Sequence, residues 1–170
     1  GPIVKEFDKY PFLIDSNNEV LSFPPIINSA KLGAVEVGDQ ELFVELTGTD
    51  LDTLLLACSV IACDLADTGY SIEPVTVLYQ YETKYGKEIT TPFYFQEKMK
   101  LNIAEAVKLL GEDISINDAA RAIERMGNPI RIENDTIILF PPEFRNDFLH
   151  AVDIIEEIVM GRGIKSFKPL

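Results

Sequence analysis

The sequence predicts an α+β fold in two parts: a partial mixed α/β domain, then a small winged-helix-like α+β domain. Three observations carry this reading. The first part strings short apolar runs between polar or proline-rich turns, around one long capped helix. The second part reads in order as strand, two capped helices, hairpin and closing helix. Between them, periodicity breaks over 81–95, which reads as a linker and puts the domains at 1–80 and 96–170.

In the first part, Phe12-Leu13-Ile14 and Val20-Leu21-Ser22-Phe23 read as two strands joined by the polar turn Ser16-Asn17-Asn18. Pro24-Pro25 should end pairing, because neither residue can donate a ladder hydrogen bond. Leu42 to Leu46 reads as a clearer strand. Thr49 is the expected cap of a helix of about 18 residues, with Asp50 and Asp52 in the first turn where the helix dipole favours acids. Gly69 ends that helix, and Ser71 to Tyr79 is expected to return as a strand. The stretch from Tyr81 to Pro92 is polar, aromatic and irregular.

In the second part, a strand is expected at Lys98 to Leu101. Asn102 then caps a helix running to Leu110, where Gly111 stops it. Ser115 caps another helix to Met126, ended by Gly127. Asn134-Asp135 makes the hairpin turn between Ile130–Ile132 and Thr136–Phe140. The closing helix runs from about Leu149 to Met160 after Pro141-Pro142.

Composition narrows the function classes. With 46% hydrophobic residues and a mean hydropathy of +0.08, the chain can bury a core. No apolar run approaches the ~18 residues that span a bilayer. No basic region followed by an apolar one opens the sequence, so a cytoplasmic protein is expected. Cys58 and Cys63 fall on different faces of one helix and read as buried apolar thiols in a reducing compartment. The net charge of −13, with 28 acids against 15 Lys and Arg, argues against a general grip on phosphates. RNA, if handled, is handled at one end and in a pocket.

Two constellations stand out. Pro24-Pro25 restricts the backbone just before Asn28, which is therefore either a turn residue satisfying its own backbone or an amide held toward a ligand. Glu45 and Thr47 alternate onto one face, where they either read a ligand hydroxyl or face solvent. Further along, Asp153, Glu156 and Glu157 lie at i, i+3 and i+4, with Asp147 just upstream. Like charges so placed repel, so they form either a solvated acidic face or oxygen ligands for a cation. The lone histidine, His150, belongs to the second part, so no Ser-His-Asp order is available.

The runs Tyr10-Pro11-Phe12-Leu13-Ile14-Asp15, Leu21-Ser22-Phe23-Pro24-Pro25-Ile26-Ile27-Asn28 and Glu45-Leu46-Thr47-Gly48-Thr49-Asp50 resemble the B3/B4 editing domain of the archaeal and eukaryotic phenylalanyl-tRNA synthetase β subunit. The second part resembles the B5 domain of the same subunit, through Leu109-Leu110-Gly111, Arg125-Met126-Gly127, Pro141-Pro142-Glu143-Phe144-Arg145-Asn146-Asp147 and Asp153-Ile154-Ile155-Glu156-Glu157-Ile158. The resemblance implies hydrolysis of tyrosine wrongly esterified to phenylalanine tRNA. It implies that Leu13, Ser22, Glu45 and Thr47 line the tyrosine-hydroxyl end of the pocket, with Asn28 beside the scissile ester. It implies a magnesium site at Asp147, Asp153, Glu156 and Glu157, completed by the α subunit of an α2β2 enzyme. ATP is implied for the whole synthetase and not for this segment. The rival reading is a non-catalytic winged-helix module that binds nucleic acid or a subunit. It needs a basic face on the helix from Ser115 to Met126, whose cations are Arg121 and Arg125.

Overall fold

The computed structural model describes residues 2–167. Gly1 and the last three positions of the expected 96–170 domain lie outside the described residues. Contacts gather the chain into two compact units, one up to Leu54 and one from Leu55, a division distinct from the sequence-based one at 81–95.

The first unit is built on a three-stranded antiparallel sheet of β1 (Leu13–Ile14), β2 (Val20–Phe23) and β3 (Ile27–Asn28). The β1–β2 turn forms where the sequence places it. Asp15 Oδ1 accepts from the backbone N–H groups of Asn17 and Glu19, both at 2.8 Å, and Asn18 takes the left-handed conformation at φ 64°. These amides hold the Asp15 carboxyl below its ordinary range, the Glu19 N–H contributing most. Pro24-Pro25 does not end the sheet. It forms the corner of a second hairpin, in which Ile26 N donates to Phe23 O at 2.7 Å and β3 pairs back along β2. Phe23 stacks on Phe12 at 4.9 Å and meets Tyr10 edge-on at 5.9 Å. Because side chains alternate, this aromatic cluster lies on the face opposite Ser22.

Leu42 to Leu46, expected as a strand, is irregular and joins no ladder among the described residues. An apolar run becomes a strand only when another strand accepts its backbone. Helix α1 (Leu51–Asp67) is capped by Asp50 and not by Thr49, since Asp50 Oδ1 accepts from Thr53 N at 2.8 Å. Gly69, at φ 100°, ends it as expected.

The second unit, which begins within α1, holds a hairpin that the sequence does not announce. The stretch 81–92, read as irregular, belongs to a β-hairpin of β4 (Val75–Thr83) and β5 (Gly86–Thr91). Its turn is Lys84-Tyr85, followed by Gly86 at φ 94°. The expected strand at Ser71 to Tyr79 is thus shifted toward the C-terminus. Ile89 is buried, and Thr76 and Thr90 hydroxyls pair across the strands at 3.1 Å.

The rest follows the expected order: β6 (Met99–Asn102), α2 (Ile103–Leu110), α3 (Ile116–Arg125), β7 (Ile130–Glu133), β8 (Thr136–Leu139) and α4 (Ala151–Arg162). The sheet order is β6-β8-β7, antiparallel throughout. Local chemistry sets each boundary. Asn102 Oδ1 accepts from Ala104 N at 2.9 Å, Gly111 closes α2 at φ 71°, and Ser115 Oγ accepts from Asp118 N at 3.1 Å. Each such cap contributes on the order of 1 kcal/mol. Asn134 turns the hairpin at φ 53°. Leu101, Ile123, Ile137, Leu139, Ile154 and Ile158 are fully buried and form the core between sheet and helices. Helices α3 and α4 cross so closely that a Cβ on Gly161 would fall on the Ala122 carbonyl. No helix among the described residues is long and apolar enough to cross a membrane.

Candidate functional site

Strand register builds the site. Leu13 pairs with Ser22 across β1–β2, and Ser22 pairs with Asn28 across β2–β3. Directly opposed residues of antiparallel strands project from the same face. Leu13, Ser22 and Asn28 therefore form one row across the sheet, although the sequence spreads them over three runs. Ser22, at the centre, is 6% exposed, Leu13 is half-buried and Asn28 is exposed. Beyond Asn28, Ser29 N donates to Leu21 O at 2.8 Å and continues the ladder.

Glu45 reaches this row from the 42–46 segment. The Ser22 hydroxyl donates to Glu45 Oε2 at 3.2 Å. With its proton so directed, Ser22 keeps its lone pairs, and the other carboxylate oxygen is also an acceptor. That suits a ligand hydroxyl, which must donate. Asn28 makes no hydrogen bond through its side chain to another described residue, so its amide offers both donors and an acceptor. Thr47 is exposed, and no recorded contact joins it to the row. Register and the Ser22–Glu45 bond relate Leu13, Ser22, Asn28 and Glu45, and Thr47 lies two residues beyond Glu45 on the same segment. His150 is taken up by helix capping: its Nδ1 accepts from Val152 N at 3.2 Å and caps α4.

The four carboxylates expected to hold magnesium are not gathered. Among the described residues, no group of three or more metal-ligating side chains is placed to hold a metal ion. Three of the four carboxylates already have an occupation. Asp153 Oδ2 accepts from Leu149 N and His150 N, both at 2.6 Å, as the return half of the α4 capping box. Glu157 is 2% exposed and turned inward, where Asn128 Nδ2 donates to Oε2 at 2.6 Å and Arg145 Nη2 to Oε1 at 2.9 Å. Arg145 also grips Asp147 with two parallel bonds of 2.6 and 2.7 Å, leaving Glu156 exposed. A helical spacing of i, i+3 and i+4 puts carboxylates near one another on paper. Here a guanidinium, which fits a carboxylate bidentately, has taken two of them. As they stand, two of the four carboxylates are held by Arg145 and a third by its own helix cap.

Arg145 is held further over the Phe148 ring at 4.5 Å. Its hydrogen bonds to Asp147 hold that carboxyl below the usual range, against a smaller opposing effect of burial. The guanidinium pKa rises in turn, the Asp147 bond contributing most. Sequence reasoning named Arg145 only within a motif run and passed over Asn128, because a contact spanning 29 positions leaves no local trace. It also passed over Gly33, although a glycine closing a polar turn is a visible signal. A Cβ there would stand 2.8 Å from Asn28 Cβ.

The cysteines are free, as expected, but half-buried and not buried. Desolvation raises the thiol pKa of each, which disfavours the reactive thiolate. Both cations of the helix on which the nucleic-acid reading depends have partners. Arg121 pairs with Asp118, and Arg162 with Glu112. Arg125 Nη1 points at Gly161 O, at 3.4 Å.

Comparison with known proteins completes the picture. Residues 99–164 match the family described as tRNA synthetase B5 domain. The chain is 47% identical over 169 residues to the phenylalanine–tRNA ligase β subunit of Borrelia duttonii, covering 99% of this chain and 30% of that protein. It is 45% identical over 169 residues to the same subunit of Treponema pallidum, covering 99% of this chain and 28% of that protein. A crystal structure of an N-terminal fragment of the phenylalanyl-tRNA synthetase β subunit from Pyrococcus horikoshii superposes with a TM-score of 0.75. The two are 31% identical, over 92% of this chain and 44% of that one. The chain spans just under a third of the curated relatives it matches, and it belongs to the phenylalanine–tRNA ligase β-subunit family, within which it includes the B5 domain.

Proposed function

We propose that the row Leu13, Ser22 and Asn28, with Glu45 bonded to Ser22, is the hydroxyl-reading and ester-facing side of an editing pocket. Its substrate is tyrosine wrongly joined to tRNA(Phe), and its reaction is hydrolysis of that ester. The observation that carries this reading is the register that sets Asn28 beside a buried serine already bonded to a carboxylate. Two oxygen acceptors at one end suit the tyrosine phenol, which phenylalanine lacks. A site that binds a hydroxyl can discriminate by up to about 10⁴–10⁵ against an analogue without one. Asn28 orients the attacking water or donates to the developing oxyanion. Thr47 joins the hydroxyl end from the Glu45 segment.

In this reading the editing part comprises residues 1–80 and the winged-helix-like part residues 96–170. The whole enzyme is a cytoplasmic α2β2 ligase that joins phenylalanine to its tRNA. ATP belongs to the whole enzyme's ligation centre, and Asp147, Asp153, Glu156 and Glu157 adjoin the α subunit, which would complete a magnesium site there. Incubating the assembled enzyme with tyrosyl- and phenylalanyl-tRNA(Phe) tests the reading. Rapid loss of the tyrosyl ester alone is expected, whereas equal stability of both esters would overturn it.

A further inference from the structure

Asn28 stands on a strand of two residues, too short to fix its own backbone, so something else must hold it. The chain just beyond it supplies the support. Ser29 to Gly33 folds into a tight turn, in which Gly33 N donates to Ser29 O at 2.8 Å. Ser29 Oγ accepts from Lys31 N and Leu32 N, both at 3.3 Å. Lys31 Nζ reaches Glu19 at 2.8 Å, on the polar turn before β2. The turn brings the Gly33 Cα against the end of the β2–β3 ladder.

Three atoms lie where a Gly33 side chain would begin. A Cβ would stand 2.8 Å from Asn28 Cβ, 3.0 Å from Leu21 O and 3.0 Å from Ser29 N. The last two are the acceptor and donor of the bond that ties the residue after Asn28 to β2. None of the three is the far end of a flexible side chain. Two are backbone atoms and the third is the root of Asn28 itself, so a methyl group could be admitted only by moving the strand. The need for glycine is steric here, since Gly33 is not among the residues at positive φ.

We propose that Gly33 is a positioning residue for Asn28: its bare Cα lets the Ser29–Gly33 turn close on β3 and fix where the Asn28 amide points. The proposal rests on the editing reading for its consequence in activity, but its structural half stands alone. A misplacement of about 1 Å can cost a reaction about a hundred-fold when the group acts by geometry.

The test uses the full-length β subunit assembled with its α subunit. Gly33→Ala is expected to lower kcat for tyrosyl-tRNA(Phe) deacylation about ten-fold or more, with KM and phenylalanylation little changed. In an Asn28→Ala background the same substitution should slow deacylation no further, because its effect runs through Asn28. Wild-type kcat in Gly33→Ala, or an undiminished effect in the double variant, overturns the proposal. Amide hydrogen exchange at Ser29 separates this from failure of the editing reading. Exchange should quicken in Gly33→Ala whether or not the protein hydrolyses the ester, and unchanged exchange overturns the proposal by itself. If Gly33→Ala fails to assemble, Ser29→Ala is the milder variant. It removes both hydroxyl-accepted bonds of the turn, and should lower kcat several-fold with the melting temperature nearly unchanged. An unchanged kcat there overturns the proposal as well.

Discussion

Ser22 and Glu45 meet through a 3.2 Å hydrogen bond although 23 positions separate them. Ser22 is fixed by a ladder on both sides, whereas Glu45 comes from a segment that pairs with no strand among the described residues. The serine is thus the anchored partner, and the carboxylate is placed by it.

Glu45→Ala in the intact enzyme should relax discrimination between the two esters. Removing the carboxylate leaves Ser22 free to turn its proton toward the substrate, which disfavours a phenol donor. The ratio of tyrosyl to phenylalanyl deacylation rates should fall by about ten-fold or more. Thr47→Ala tests the residue that register does not bring in, and should act in the same direction. Unaltered ratios in both variants would remove the segment from the reading of the hydroxyl.

Arg145→Ala should destabilise the chain by about 3 kcal/mol or more, read as a lowered denaturation midpoint. Glu157 is 2% exposed and would keep Asn128 as its one remaining partner among the described residues, a buried charge without a counter-charge. Pairing Arg145→Met with Glu157→Met should recover much of the loss, because the uncompensated charge is then gone. A double variant as unstable as Arg145→Ala would show that packing, and not charge, is at stake.

Acid should weaken the same network with a defined sign. The folded-state pKa of Asp147 lies below its ordinary 3.8. Its contribution to stability is therefore present above that value and is lost as pH falls through the lower folded one. Asp147 is 60% exposed in its side chain, so solvent screens the effect to a fraction of a kcal/mol. Asp147→Asn should flatten the stability profile below about pH 4 and leave it nearly unchanged near pH 7. Parallel profiles for the two proteins across that range would contradict this.

What the sequence made legible was local. Asn102, Ser115 and Asn134 are each read correctly because a cap or a tight turn is decided within a few residues. Leu42 to Leu46 has the composition of a strand, yet pairing is a property of two segments, and the second cannot be read from the first. The hairpin through 81–92 was hidden for the converse reason. Its first strand alternates Val75, Val77, Tyr79 and Tyr81 on one face, but the second carries Ile89 as its one large apolar residue, and the turn has Gly86 after Lys84-Tyr85 in place of an Asn-Gly signal. In the site, the residues were legible and their relationships were not. Asn28 was visible behind Pro24-Pro25, but that this corner seats it opposite Ser22 follows from register alone. The acidic cluster shows the limit most clearly, since i, i+3 and i+4 spacing cannot reveal that Arg145 turns Glu157 inward while Asp153 turns back to cap its own helix.

The central claim is that Asn28 acts on the ester and not merely within the sheet. Single-turnover deacylation of tyrosyl-tRNA(Phe) by the intact enzyme carrying Asn28→Ala tests it most directly, with phenylalanylation measured on the same preparation. Loss of a positioned amide donor to a developing oxyanion costs about 10²–10³-fold. The account predicts a fall of that order in deacylation with phenylalanylation unchanged. Deacylation at the wild-type rate, in an enzyme that still charges its tRNA, would contradict it.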